Sequence, residues 1–177
     1  MYKYYSEIIY GGVDGLITTF AIIAGSLGGN LSRSVILILG LASILADGFS
    51  MGISSYLAEK ARQKGQNAFI VGLITFVSFI SIGIFPLMPF FFQLTNPFAI
   101  SSYILGFLLF ILGYMKGAVM DGVETLVIGG IAAIIAYYSA KTIATYETKF
   151  NKKEKKGGKE EDETENRKES ILEQITI

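Results

Sequence analysis

The chain has 177 residues, is 51% hydrophobic and carries no formal net charge; its mean hydropathy of +0.50 is high for a soluble domain. Balanced charge gives no global case for nucleic acid as a partner. With no Cys and no His, disulfides, iron–sulfur clusters, zinc-thiolate sites, imidazole ligation and the usual near-neutral proton switch are excluded.

Charged residues are sparse before Tyr146 and dense after it. That split predicts an all-α, polytopic membrane protein of five transmembrane helices. A short amphipathic lead covers 1–7, the five-helix domain covers 8–145, and a charged flexible tail covers 146–177. The tyrosines of the lead suit the headgroup layer. The first apolar run has no small-x-small pattern, so no cleaved signal is expected.

The first span is predicted over 8–28. Starting it at Gly15, with Asp14 as an N-cap, would leave too few residues for a bilayer that needs about twenty. Asp14 therefore lies inside the span, on one face with Thr18, Ala21 and Gly25. Gly11 and Gly15 are spaced for close approach of another helix. After a turn at 28–33 the second span covers 34–58. Its polar face is Ser43, Asp47, Ser50 and Ser54, with Met51 one turn beyond Asp47. A short basic loop with Lys60, Arg62 and Lys64 follows, and Glu59 is the acid at its edge.

The third span covers 68–91 and is kinked or ended by Pro86 and Pro89. The fourth covers 98–114. The fifth covers 123–138, or reaches 144 if Lys141 snorkels, and its Ile-Gly-Gly-Ile-Ala-Ala core is small-residue packing surface. Asp-Gly recurs at 14–15, 47–48 and 121–122, but the match stops at the dipeptide and supports no inverted repeat. Lysines and arginines in the loops after spans two and four put those loops in the cytoplasm, with the N-terminus inside and the tail on the opposite side. The five lysines between Lys149 and Lys156 oppose that orientation.

An ionised Asp near the middle of a membrane helix costs about 2.5–3.5 kcal/mol on insertion scales, so two of them call for a use. Spans one and two are antiparallel, which sets Asp14 and Met51 at similar depth, with Asp47 a turn deeper. Two carboxylates and a thioether form a ladder for a cation. Carboxylates alone suit hard ions, while the added thioether favours a borderline ion such as Fe²⁺, with Mn²⁺, Co²⁺ and Zn²⁺ as alternatives. Thr18, Ser43, Ser50, Ser54 and Glu59 would line the path. A metal ion and a proton compete for the same carboxylate oxygens, so Asp14 and Asp47 are the groups through which exchange would be coupled. One subunit offers few ligands, so a complete site calls for two copies. No nucleophile–base pair is visible, so an enzyme is not expected.

At these residues the chain resembles the vacuolar iron transporter family. The pieces that carry the likeness are Gly12-Val-Asp-Gly-Leu-Ile-Thr-Thr-Phe-Ala21, Ala46-Asp-Gly-Phe-Ser-Met-Gly-Ile-Ser-Ser-Tyr-Leu-Ala58, and Glu124-Thr-Leu-Val-Ile-Gly-Gly-Ile-Ala-Ala133 with Tyr137. The resemblance implies a homodimer with its path at the first-helix interface, export of Fe²⁺ from the cytosol in exchange for protons, Asp14 and Met51 as metal ligands, and no permanently bound cofactor. Two departures stand out. A Glu common in the family two turns before the Met is Ser43 here, with Asp47 one turn nearer. The family's Glu-rich cytosolic metal-binding domain between spans two and three is absent. The compact loop points to a prokaryotic plasma membrane. The rival reading is a non-transporting membrane scaffold whose buried acids fix helix packing and dimerisation.

Overall fold

Uninterrupted apolar runs decide the architecture. In the computed structural model, which describes residues 4–62 and 67–175, five helical stretches are long and apolar enough to cross a membrane: Tyr5–Gly28, Arg33–Arg62, Ala68–Phe91, Pro97–Tyr114 and Val119–Lys149. The elements are α1 (Tyr5–Gly28), α2 (Arg33–Arg62), α3 (Ala68–Gly83), a 3₁₀ turn (Phe85–Leu87), the short α4 (Met88–Phe91), α5 (Pro97–Tyr114) and α6 (Val119–Ile175). No strand occurs among the described residues. Large apolar side chains such as Leu45, Phe49, Val77, Phe107 and Ile131 stand on the outside of the bundle. That is how helices meet lipid rather than water.

Two boundaries differ from expectation. The first helix starts at Tyr5 rather than Ile8, which draws Glu7 out of the expected lead and into the first turn. An acid there is favoured by the helix dipole. The charged stretch after Tyr146 continues α6 as one helix to Ile175, where a loose tail was expected. Its Glu, Lys and Arg are strong helix formers, and the pair at 157–158 interrupts them only once.

The third span breaks where its prolines are. Ser101 on α5 donates a 2.6 Å hydrogen bond from Oγ to the Pro86 carbonyl. Pro89, three residues on, has no N–H to offer that carbonyl, so the hydroxyl replaces it. At the other end of the span, Asn67 caps α3 by accepting from the Phe69 and Ile70 amides.

Helix α1 touches every other span, and its largest interface is with α3, which packs on α2 as well. Glycine makes this possible. A Cβ at Gly11 would stand 2.5 Å from the Thr75 carbonyl oxygen, and one at Gly15 would stand 2.5 Å from that of Phe79. Gly52 and Gly72 form the matching contact between α2 and α3. Between them lie two apolar clusters, one around Leu16, Phe20, Leu105 and Leu109 and the other around Ile23, Ile36, Leu87 and Phe90. Helices α1 and α2 meet each other less extensively than either meets α3.

Replacing Gly15 by Ala should therefore destabilise the bundle by about 1–3 kcal/mol, the usual cost of overpacking. Gly106 has nothing within 4 Å of a would-be Cβ, so Gly106→Ala should be neutral or stabilising by up to about 1 kcal/mol. Thermal denaturation of the two variants in detergent checks both signs at once.

A candidate metal-ion path

Asp14 lies about 14 Å from the start of α1 by the helical rise. Its neighbours on the helix, Gly11 and Gly15, are buried against α3, and its own side chain is exposed on the single chain. On α2, Asp47 and Met51 lie about 22 and 17 Å from the Arg62 end. Asp47 is also exposed, and it is the charged side chain close enough to act on Asp14. The two carboxylates thus share one region of the protein, as the helical spacing predicts. Ser43 donates its hydroxyl to Asp47 Oδ2 along the same helix. Among the described residues neither carboxylate hydrogen-bonds to a different helix.

Most of the polar stripe on α2 is left uncovered by its own chain. Asp47, Ser50 and Ser54 are exposed, and Ser43 is half-buried. On α1, Thr18 is half-buried one turn from Asp14. Among the described residues no group of three or more His, Cys, Asp or Glu side chains is gathered tightly enough to hold an ion. Within one chain Asp14 and Asp47 thus belong to no closed cluster of such ligands.

A cavity of about 530 Å³ opens at the same end of the molecule, between the start of α1, the end of α2 and α3. Met51, Ser54 and Glu59 line it. Asp14, Asp47, Thr18, Ser43 and Ser50 do not, so the residues expected along one path are not gathered in one cavity. The cavity also takes in Glu7, Tyr10, Arg62 and Thr75, which sequence reading did not single out. Glu7 carries a usable signal, because it precedes Asp14 by two turns on one face of α1. Thr75 carries none: it is buried, and its hydroxyl donates to the Val71 carbonyl at 2.9 Å within α3.

The model of a family described as the VIT family matches residues 5–70 and 59–141. Among curated relatives, the "Vacuolar iron transporter" of Toxoplasma gondii is 43% identical over 60 residues, which is 34% of this chain and 20% of that protein. "Vacuolar iron transporter 1" of Arabidopsis thaliana is 44% identical over 57 residues, 32% of this chain and 23% of the relative. The relative in Centaurea cyanus, "Vacuolar iron transporter", is 47% identical over 55 residues, 31% of this chain and 22% of its own length. The matched stretches thus span about a fifth of each of these relatives. No solved structure matches the chain.

The natural absence of Cys makes the cavity directly testable. In sealed vesicles Ser54→Cys should react with a membrane-impermeant thiol reagent from one side only. Leu109→Cys, at a position 1% exposed in the core, should stay unlabelled from both. Equal labelling of the two, followed by mass spectrometry, would contradict a water-filled mouth.

Proposed function

This chain belongs to the VIT family, and on that premise we propose that it carries divalent metal ions, Fe²⁺ or Mn²⁺, across its membrane as a homodimer, outward from the cytosol and in exchange for protons. The observation that carries the reading is the uncovered acidic face. Asp14 and Asp47 sit well inside apolar spans, within electrostatic reach of each other, and yet exposed on the single chain. Leaving each against lipid would cost about 2.5–3.5 kcal/mol. A second copy facing the same surface would cover both and enclose water between them. An isologous arrangement of that kind doubles each ligand, which answers the shortage of donors in one chain.

Donor chemistry then favours a borderline ion. Asp14 and Asp47 supply hard oxygens, and Met51 supplies a soft sulfur that adds nothing for Mg²⁺ or Ca²⁺. The printed names of the relatives, vacuolar iron transporters, agree with Fe²⁺. Thr18, Ser43, Ser50 and Ser54 hold waters or orient the acids. Coupling to protons falls to Asp14 and Asp47, since no imidazole exists in the chain. The scaffold reading is weaker. Close glycine contacts already hold α1, α2 and α3 together, and neither acid bonds to a different helix.

Reconstitution into proteoliposomes tests the reading. Uptake of Fe²⁺ or Mn²⁺ should fall at least tenfold in Asp14→Asn, and Met51→Ala should shift the preference from Fe²⁺ towards Mn²⁺. A pH-sensitive dye in the lumen should report protons leaving as metal arrives. Undiminished uptake by Asp14→Asn would reject the mechanism.

A further inference from the structure

The mouth cavity contains a group that the intramembrane acids do not explain. Glu59 is 8% exposed, although it lies in the last turn of α2, where an acid gains nothing from the helix dipole. Its Oε1 has no hydrogen-bond partner, and its side chain lines the cavity. A carboxylate oxygen left unpaired in a buried position is costly. Such an oxygen signals a partner that comes and goes.

Glu7 faces the same cavity from α1, where Ser6 donates to its Oε2 at 2.9 Å. Tyr10 and Ser54 add hydroxyl oxygens to the lining. Arg62 lines the cavity too, but it is exposed, and a guanidinium on a long stem is free to extend into water. Among the described residues that line the mouth, two acids face one Arg, a balance that favours cations. The waters of a hexahydrated ion fill roughly 200 Å³, well within a cavity of about 530 Å³.

We propose that Glu59 and Glu7 form a capture site for a hydrated divalent cation at the mouth, separate from the intramembrane acids and feeding them. The axial spacing fits a relay. Glu7 lies about 10 Å above Asp14 along α1, and Glu59 about 12 Å above Met51 along α2. Met51 lines the inner part of the same cavity, so an ion held by the mouth acids moves through one continuous space to the first deep ligand. The ligands at the mouth are oxygens alone, so this site holds the ion with its waters and discriminates little. Met51 is the first soft donor the ion meets, and selection starts there. This inference deepens the transport reading and rests on it for its purpose, though not for the binding itself.

The test separates the two. Purified full-length chain in detergent is titrated with Mn²⁺, and bound ion is read from the loss of the free Mn²⁺ electron paramagnetic resonance signal. Asp14→Asn protein, which has lost the deep site, should still bind Mn²⁺. Adding Glu59→Gln or Glu7→Gln to it should weaken that residual binding at least fivefold. Glu7 is half-buried rather than enclosed, so Glu7→Gln keeps the test valid should Glu59→Gln fold poorly. In proteoliposomes Glu7→Gln should raise the apparent KM for Mn²⁺ while leaving kcat within twofold. Residual binding that is absent, or unchanged by both Gln variants, overturns the mouth site and leaves the transport reading standing. A parent protein that moves no metal but shows the expected loss of binding overturns transport and leaves the mouth site standing.

Discussion

Helices in lipid have no hydrophobic drive to associate, because the surrounding tails are as apolar as their side chains. What holds this bundle is backbone approaching backbone. Gly11 and Gly15 on α1 lie against Thr75 and Phe79 of α3, Gly83 lies 3.0 Å from the Gly15 carbonyl oxygen as measured from its would-be Cβ, and Gly52 meets Gly72 between α2 and α3. Dispersion and close carbonyl contacts then act over the full length of the interface. The arrangement has a consequence for chemistry. Once one side of α1 is committed to α3, the rotation of the helix is fixed, and Asp14 is turned out of the bundle. The glycines that stabilise the fold are thus also the residues that present the acid.

The same economy governs the polar groups of α3 and α5. Thr75 returns its hydroxyl to its own helix, and Ser101 repairs the carbonyl freed by the proline break. Asp121 accepts from the Ala118 amide at 3.0 Å and so closes the turn into α6. These groups are satisfied locally and have nothing left over. Two side-chain atoms among the described residues are buried without a partner, Thr19 Oγ1 and Glu59 Oε1. The first is a single hydroxyl in the core. The second belongs to a residue that lines the mouth cavity.

The five spans were legible in the sequence because length and continuity of apolar residues suffice to define them. The pairing of Asp14 with Asp47 was legible for a similar reason, since helical spacing and antiparallel order set depth without any tertiary detail. Other features left no pattern to read. The packing of α1 and α2 on α3 rests on backbone atoms at Gly72, Thr75 and Phe79, and an apolar helix does not announce which face its neighbours will approach. Glu59 shares its cavity with Glu7, a residue more than fifty positions earlier in the chain. Glu7 was misplaced because an acid among tyrosines reads as interfacial sequence. Asp-Gly at 121–122, which supported no repeat, is a helix start: Gly122 lets α6 approach the Phe110 carbonyl of α5, and Asp121 accepts from the Ala118 amide.

The arrangement of charge explains why the acidic face and the mouth should be separate. Asp14 and Asp47 are like charges within reach of one another in a region that water enters only if the protein admits it, so their repulsion is poorly screened there. A divalent ion between them relieves it, and so do protons. A site that strong, standing alone, would hold its ion too firmly to pass it on, since conduction requires binding favourable enough to enter and weak enough to leave. Ser43 moderates the deep site by occupying Asp47 Oδ2 with a hydroxyl, which leaves Asp47 fewer lone pairs for metal. The mouth moderates it from the other direction. A capture site at Glu59 and Glu7, as proposed, would raise the local concentration of cations before dehydration begins, so the deep ligands would not need to supply the attraction from bulk water. On the proposed reading, loading would divide into a weak, wet step and a stronger, selective one, with Met51 at the boundary between them.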